Sequence, residues 1–148
     1  MKIWKKKKAE PSRLIGLDLG SKRIGVSICD ERQSIATPFK TIAKTNTNEL
    51  IAQLKEIITE YGIKGIIIGN PLNMDGSSGR SAQSVNDVSN NIDRAINVDV
   101  CLWDERLSTV GAFKLSSQLD VNVSKREKYI DQDAAAFILQ GAIDFLKN

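Results

Sequence analysis

The sequence predicts an α/β fold in which three antiparallel strands open a mixed sheet flanked by helices, and three observations lead there. Two β-rich runs, residues 14–20 and 23–30, are separated only by Ser21 and Lys22, the spacing of a tight hairpin with Gly20 at its turn. Residues 64–69, KGIIIG, form a continuous apolar run of the kind that a parallel sheet buries on both faces. Elsewhere the apolar residues recur at helical spacing.

Taken in order, residues 34–43 supply a third strand that completes a meander. Leu50, Ile51, Leu54, Ile57, Ile58 and Tyr61 then mark one face of a helix, and Gly62 ends it as a C-terminal cap. After the 64–69 strand, residues 70–79 are rich in Gly, Asn and Ser and read as a loop. Ala82, Val85, Val88 or Ser89, Ile92 and Ile96 mark a second helix, for which Ser78 or Ser81 is the expected N-cap. Residues 98–103 are a fifth strand. Helices at 108–117 and 130–146, joined by a polar link at 118–127, give the order β-β-β-α-β-α-β-α-α.

The 148 residues, 41% hydrophobic and 26% charged, fit one globular domain at 13–148 behind a basic tail at 1–12. No apolar stretch approaches the roughly 20 residues that span a bilayer, and the basic start lacks the apolar core of a secretory signal. The expected location is the cytoplasm, with no membrane partner. Cys29 and Cys101 lie far apart without CxxC spacing, which favours reduced, buried thiols over a zinc or redox pair. The net charge of +3 does not by itself mark a nucleic-acid binder. Lys5, Lys6, Lys7 and Lys8 read as a solvated tail that adds salt-dependent phosphate affinity.

The chain has no histidine, so His-based triads, zinc sites and acid/base pairs are excluded. Chemistry must rest on carboxylates, lysine, hydroxyls or a metal. Asp18 interrupts the apolar run LIGLDLG, and a buried carboxylate is costly unless it has a cation or lies at a strand end. In CLWDERLST the acids Asp104 and Glu105 follow the fifth strand, where open α/β sheets place ligands; a surface pairing with Arg106 fits the pattern as well. On the last helix, Asp131 shares the apolar stripe of Ala134, Ile138, Ala142 and Phe145, with N-terminal capping as its simpler role. Asp133 falls with Gln140 and Asp144 on a solvated face. Asp18, Glu105 and Asp131 are therefore candidates to converge into an oxygen-only cluster, which suits Mg²⁺ or Mn²⁺. Two such ions can drive phosphodiester hydrolysis without a protein general base.

Four stretches in order, IGLDLGSKRIGVSICD, IIIGNPLNMDGSSGRSAQSV, DERLST and YIDQDAAAFILQ, resemble the YqgF/RuvX family of pre-16S rRNA nucleases and Holliday junction resolvases. The resemblance runs from about residue 14 to 146. It implies an RNase H-like fold with strand order 3-2-1-4-5 and a metal-dependent nuclease that trims the 5′ end of the 16S rRNA precursor, on RNA or ribosomal particles. It also implies that Asp18, Glu105 and Asp131, the acids of its DxG, DER and IDxxAA motifs, are the catalytic and metal-binding residues. Asn70 before Pro71, and Gly79, Arg80 and Ser81 without a second proline and an acid, depart from the family loop and bear on substrate detail.

Lys22, Arg23, Asn73, Arg80 and Arg106 are the expected nucleic-acid contacts, although a basic residue taken singly is more often a surface ion pair. Gly76, Gly79 and the loop serines precede a helix start, where backbone amides can take a phosphate. The run GLDLGSKRIGV also resembles the phosphate loop of actin-like kinases and ATPases, which need two large lobes that one domain of this length does not supply. A non-catalytic nucleic-acid-binding module gives no reason for Asp18 and Asp131 to interrupt apolar faces. Junction resolution on branched DNA remains the alternative within the nuclease class, and it demands a dimer where trimming needs only a monomer.

Overall fold

The hairpin predicted around Gly20 forms between β1 (Arg13–Leu19) and β2 (Arg23–Cys29), in register with Asp18 opposite Gly25. The Gly20 amide donates to the Arg23 carbonyl at 2.9 Å, and a Cβ on Gly20 would sit 2.5 Å from that oxygen, so glycine is required at the turn. The computed structural model describes residues 12–71, 79–105 and 126–147, without the side chains of Ser81 and 126–132. The predicted helix at 108–117 lies outside the described residues, as do the start of the 118–127 link, most of the basic tail and most of the 70–79 loop.

β3 (Ala36–Ala43) begins two residues later than its apolar pattern suggests. Asp30 Oδ1 accepts the Ser34 and Ile35 amides at 2.6 and 2.9 Å, which closes residues 30–35 into a turn and holds Ser34 out of the strand. These bonds hold the Asp30 carboxyl below its ordinary range, the Ile35 amide foremost. α1 (Thr47–Tyr61) is capped by Asn46, whose side chain accepts the Glu49 amide, and ends at Gly62 in the left-handed conformation, φ 66° and ψ 47°. β4 (Ile63–Asn70) is buried at nearly every position. α2 (Arg80–Ala95) starts at Gly79 without a side-chain cap, which corrects the expected Ser78 or Ser81: Ser78 lies outside the described residues and Ser81 is already inside the helix. β5 (Asp99–Asp104) and α3 (Arg126–Lys147) follow.

The sheet order is β3-β2-β1-β4-β5, with β1, β2 and β3 antiparallel and β4 parallel to both β1 and β5. Residues of β4 alternate between two layers. Ile66 and Ile68 join Leu17, Leu54, Val85 and Ile92 beneath α1 and α2, while Ile67 joins Leu14, Trp103, Ile138 and Leu139 beneath α3. Cys29 is buried and Cys101 half-buried, both as free thiols; the Cys29 sulfur accepts the Leu14 amide at 3.1 Å, and burial pushes its pKa up. Among the described residues no helix is long and apolar enough to cross a membrane.

Two expectations for the last helix need correction. Phe145, expected on the apolar stripe, is 64% exposed and meets only the edge of the sheet, its ring 5.6 Å from that of Trp103. Asp133, expected on a solvated face, is half-buried, and desolvation raises its pKa.

Candidate active site

Leu14 packs in the α3 layer, so Gly16 and Asp18, at alternate positions of β1, face the same way. The same alternation turns Ile67 and Gly69 of β4 toward α3, and Cys101 and Trp103 of β5 with them, and carries on to Glu105. Leu17 is paired with Ile68 and Gly69 with Trp103. Asp18, Gly69 and Glu105 thus occupy the carboxyl ends of three neighbouring strands, on one face. Asp18 is only 5% exposed and Glu105 half-buried. Asp18 therefore stands near a strand end but is buried there, not exposed.

Gly69 explains the route of the Glu105 side chain. A Cβ at Gly69 would lie 2.5 Å from Ile138 Cδ1 and 2.9 Å from Glu105 Oε1. Only hydrogen leaves the space in which the Glu105 carboxylate lies over β4 beside α3.

A second close approach fixes α3. The Ser27 hydroxyl donates to the Ala135 carbonyl at 2.7 Å, and a Cβ on Gly16 would meet Ser27 Oγ, Leu139 Cβ at 2.7 Å and the Ala135 oxygen at 2.8 Å. At the other end, Gln140 receives the Ala36 amide at 2.9 Å and donates to the Ser34 carbonyl at 3.0 Å, and Lys147 reaches Ser34 Oγ at 3.2 Å. Ser34 and Ala36 lie at the amino end of β1, because Ala36 pairs with Cys29 and Ile28 with Ile15. Helix α3 therefore runs antiparallel to β1 and points its N-terminus toward the Asp18 end. Asp131 lies four residues, about one helical turn, before the Ala135 that packs on Gly16. Asp131 lies in the second turn of a helix that starts at Arg126, too far in for the capping role; its side chain is outside the described residues.

Of the expected nucleic-acid contacts, Lys22 is exposed in the β1–β2 turn, Arg23 half-buried at the start of β2 and Arg80 exposed at the start of α2. Asn73 and Arg106 lie outside the described residues. Among the described residues no three metal-ligating side chains gather, the described share of the cluster being Asp18 and Glu105. Its donors are oxygen alone: no histidine exists in the chain, Cys29 is at the far end of the sheet beside Leu14, and Cys101 precedes Trp103 within β5. Such a set fits a hard divalent cation.

The sequence matches the family described as "RuvX: Holliday junction resolvase" over residues 12–145. The chain belongs to the RuvX family. A Pelagibacter ubique relative carrying the name "Putative pre-16S rRNA nuclease" is 76% identical over 145 residues, 98% of this chain and 96% of its own length. One of the same name from Cereibacter sphaeroides is 45% identical over 133 residues, 90% of this chain and 83% of its own. Among solved structures, Thermus thermophilus RuvC in complex with Holliday junction substrate superimposes with a TM-score of 0.61 at 12% identity, covering 93% of this chain and 96% of that one. The likeness is one of fold, and with the strand order it makes this RuvX chain RNase H-like.

Reading the sequence of this RuvX protein as a pattern of acids missed the residues that make room for them. Gly16, Ser27 and Gly69 looked like ordinary strand residues. Glycines at alternate positions of apolar strands were the available signal, since a strand interior loses packing at each one unless another chain segment comes close.

Proposed function

We propose that this chain is a divalent-metal-dependent nuclease that processes the 5′ end of the 16S rRNA precursor, with Asp18, Glu105 and Asp131 as the acids that hold the metal. One observation carries the reading: buried Asp18 and half-buried Glu105 stand at the carboxyl ends of β1 and β5, on either side of β4, where Gly69 keeps a space open beside α3. Mg²⁺ or Mn²⁺, as one ion or a pair, supplies activation of water and stabilisation of the leaving oxygen when bound.

The chain's own part is placement. Asp18 sits on the central strand, where neighbours on both sides fix its backbone. Glu105 is held by the Gly69 gap, and Asp131 comes with the helix that Ser27 and Gln140 fasten at two points. Lys22, Arg23 and Arg80 hold phosphates of the RNA, and Asn73 and Arg106, outside the described residues, are its further expected contacts. Trimming needs only a single site, which a monomer or a dimer supplies, acting in the cytoplasm on free precursor or on ribosomal particles.

Junction resolution is the second reading. It is favoured by the family description and by the likeness to RuvC bound to a Holliday junction, and it requires a dimer with two sites across branched DNA. Cleavage of a 5′-extended 16S precursor RNA and of a four-way DNA junction, with Mg²⁺, Mn²⁺ or EDTA, separates the two. RNA trimming that EDTA and Asp18→Asn both abolish is the expected result. Symmetric junction cutting would promote the resolvase, and undiminished binding without any cleavage would leave only a binding module.

A further inference from the structure

A cavity of about 280 Å³ opens on the other side of the sheet from the acids. It lies between the β1–β2 turn, residues 44–47 leading into α1, and the first turns of α2. Ile24, Leu50 and Val85 of the α1/α2 core form its floor. Its rim is polar and basic, with Lys44, Arg80 and Ser84 exposed around it and no acidic side chain among the described lining residues. Glu49, the acid of the first turn of α1, accepts a hydrogen bond from the hydroxyl of Thr45, which is itself a lining residue. The Lys44 amide donates to the Lys22 carbonyl at 3.0 Å, which ties this rim to the β1–β2 turn.

An apolar floor under a cationic rim suits a ligand with an aromatic body and an anionic end. The volume lies near the lower limit of small-molecule sites, about 300 Å³, which is the scale of one nucleotide. Lys44 and Arg80 supply charge to a phosphate, and α2 begins at Gly79, which has no side chain to engage the first-turn amides. Gly20 and Ser21 line the cavity and follow Asp18 by only two and three residues. A strand that crosses the β1–β2 turn can therefore reach both places.

We infer that this cavity is a second subsite for the substrate strand, taking one unpaired nucleotide with its base on the Ile24, Leu50 and Val85 floor and its phosphate between Lys44 and Arg80. The inference rests on the nuclease reading for the identity of the strand and on the cavity alone for the ligand class. Base burial here and phosphate contacts at the rim would hold the strand while its neighbouring linkage lies at the acids.

The test uses the full chain carrying Asp18→Asn, so that RNA stays intact, labelled for amide NMR and titrated with adenosine 5′-monophosphate and with a pentanucleotide of adenosines. Both probes should shift the Thr47, Ser84 and Val88 amides, and the pentanucleotide should bind at least about tenfold more tightly, because it adds phosphates beyond the cavity. Lys44→Glu should weaken both by about tenfold or more. Ser84→Trp, at an exposed position, should fill the space and abolish the shifts with an unchanged melting temperature. Pentanucleotide shifts confined to the Gly69 and α3 side would overturn the subsite and leave the nuclease reading intact. Monophosphate binding that the pentanucleotide does not displace would also overturn it, assigning the cavity to a free nucleotide. Cavity binding by a parent protein that cleaves nothing would sink the nuclease reading alone.

Discussion

The two faces of the sheet differ in how closely their helices approach the strand backbones. Toward α1 and α2 the strands present Ile15, Leu17, Ile24, Val26, Ile66 and Ile68, branched side chains that fill the space between layers. Toward α3 they present Gly16, Ser27 and Gly69 between the bulky Leu14, Ile67 and Trp103, and the helix meets the small residues with Ala135, Ile138 and Leu139. The first face gains stability from apolar area at roughly 25 cal/mol per Å². The second gives up some of that area so that a helix and a carboxylate can come within contact of the backbone. Both faces bury bulk, but the α3 face is broken by small residues, and the gap at Gly69 is the one that Glu105 enters.

That contrast breaks most sharply at the acids. Glu105→Gln and Asp131→Asn should each lower metal-dependent cleavage by at least about 10²-fold, several kcal/mol of transition-state stabilisation, with melting temperatures close to the parent's. Asp133→Asn should keep its cleavage rate; a dead Asp133→Asn beside an active Asp131→Asn would reverse the helix assignment. On the opposite face, Leu54→Ala should cost about 2–5 kcal/mol in urea unfolding, because Leu54 is fully buried, while the folded fraction cleaves normally.

Gly69→Ala sharpens the comparison because it adds bulk in the gap that Glu105 enters. Its Cβ would press on Ile138 and Glu105, so a loss of about 1–3 kcal/mol is expected together with a drop of about 10- to 100-fold in kcat from misplacement of Glu105. Gly62→Ala is the control: nothing lies within 4 Å of its Cβ and its φ is 66°, so it should lose stability through backbone strain alone and leave kcat unchanged. The smallest effect concerns pH. Burial raises the Asp133 pKa, so the folded chain binds that proton more tightly than the unfolded one. Stability should fall as pH rises above the ordinary aspartate value of about 3.9 through the raised folded pKa. Asp133→Asn should lack this loss and melt higher than the parent at neutral pH, with no difference in strong acid.

The same contrast explains what was legible in the sequence. Leu50, Leu54 and Ile57 on α1 and the apolar run of β4 follow simple periodicities, so strands, helices and their order could be read directly. The strand order and the roles of the three acids came instead from the four motifs as a resemblance. Asp18 stood out because a charge breaks an apolar run, and Asp131 because it shares a stripe with Ile138. Gly69 and Ser27 did not stand out, since their significance lies in a helix more than 60 residues away in the chain for the one and 108 residues away for the other. Turn and cap chemistry was missed for a related reason. Asp30 delays β3 through two side-chain bonds to its own loop, and α2 starts on Gly79 rather than on a neighbouring serine.

The bond from Ser27 to Ala135 joins residues 108 positions apart, whereas β1, β2 and β3 are joined by short local turns. On a ribosome the chain grows from its N-terminus, so the hairpin and the α1/α2 layer can form while α3 is still unmade. During that interval Asp18 and Glu105 exist without the helix that brings Asp131, and the face with the glycines stands uncovered. A nascent chain of this protein therefore exposes the apolar α3 face of its sheet, Leu14, Ile67 and Trp103 included, until α3 has been made and covers it.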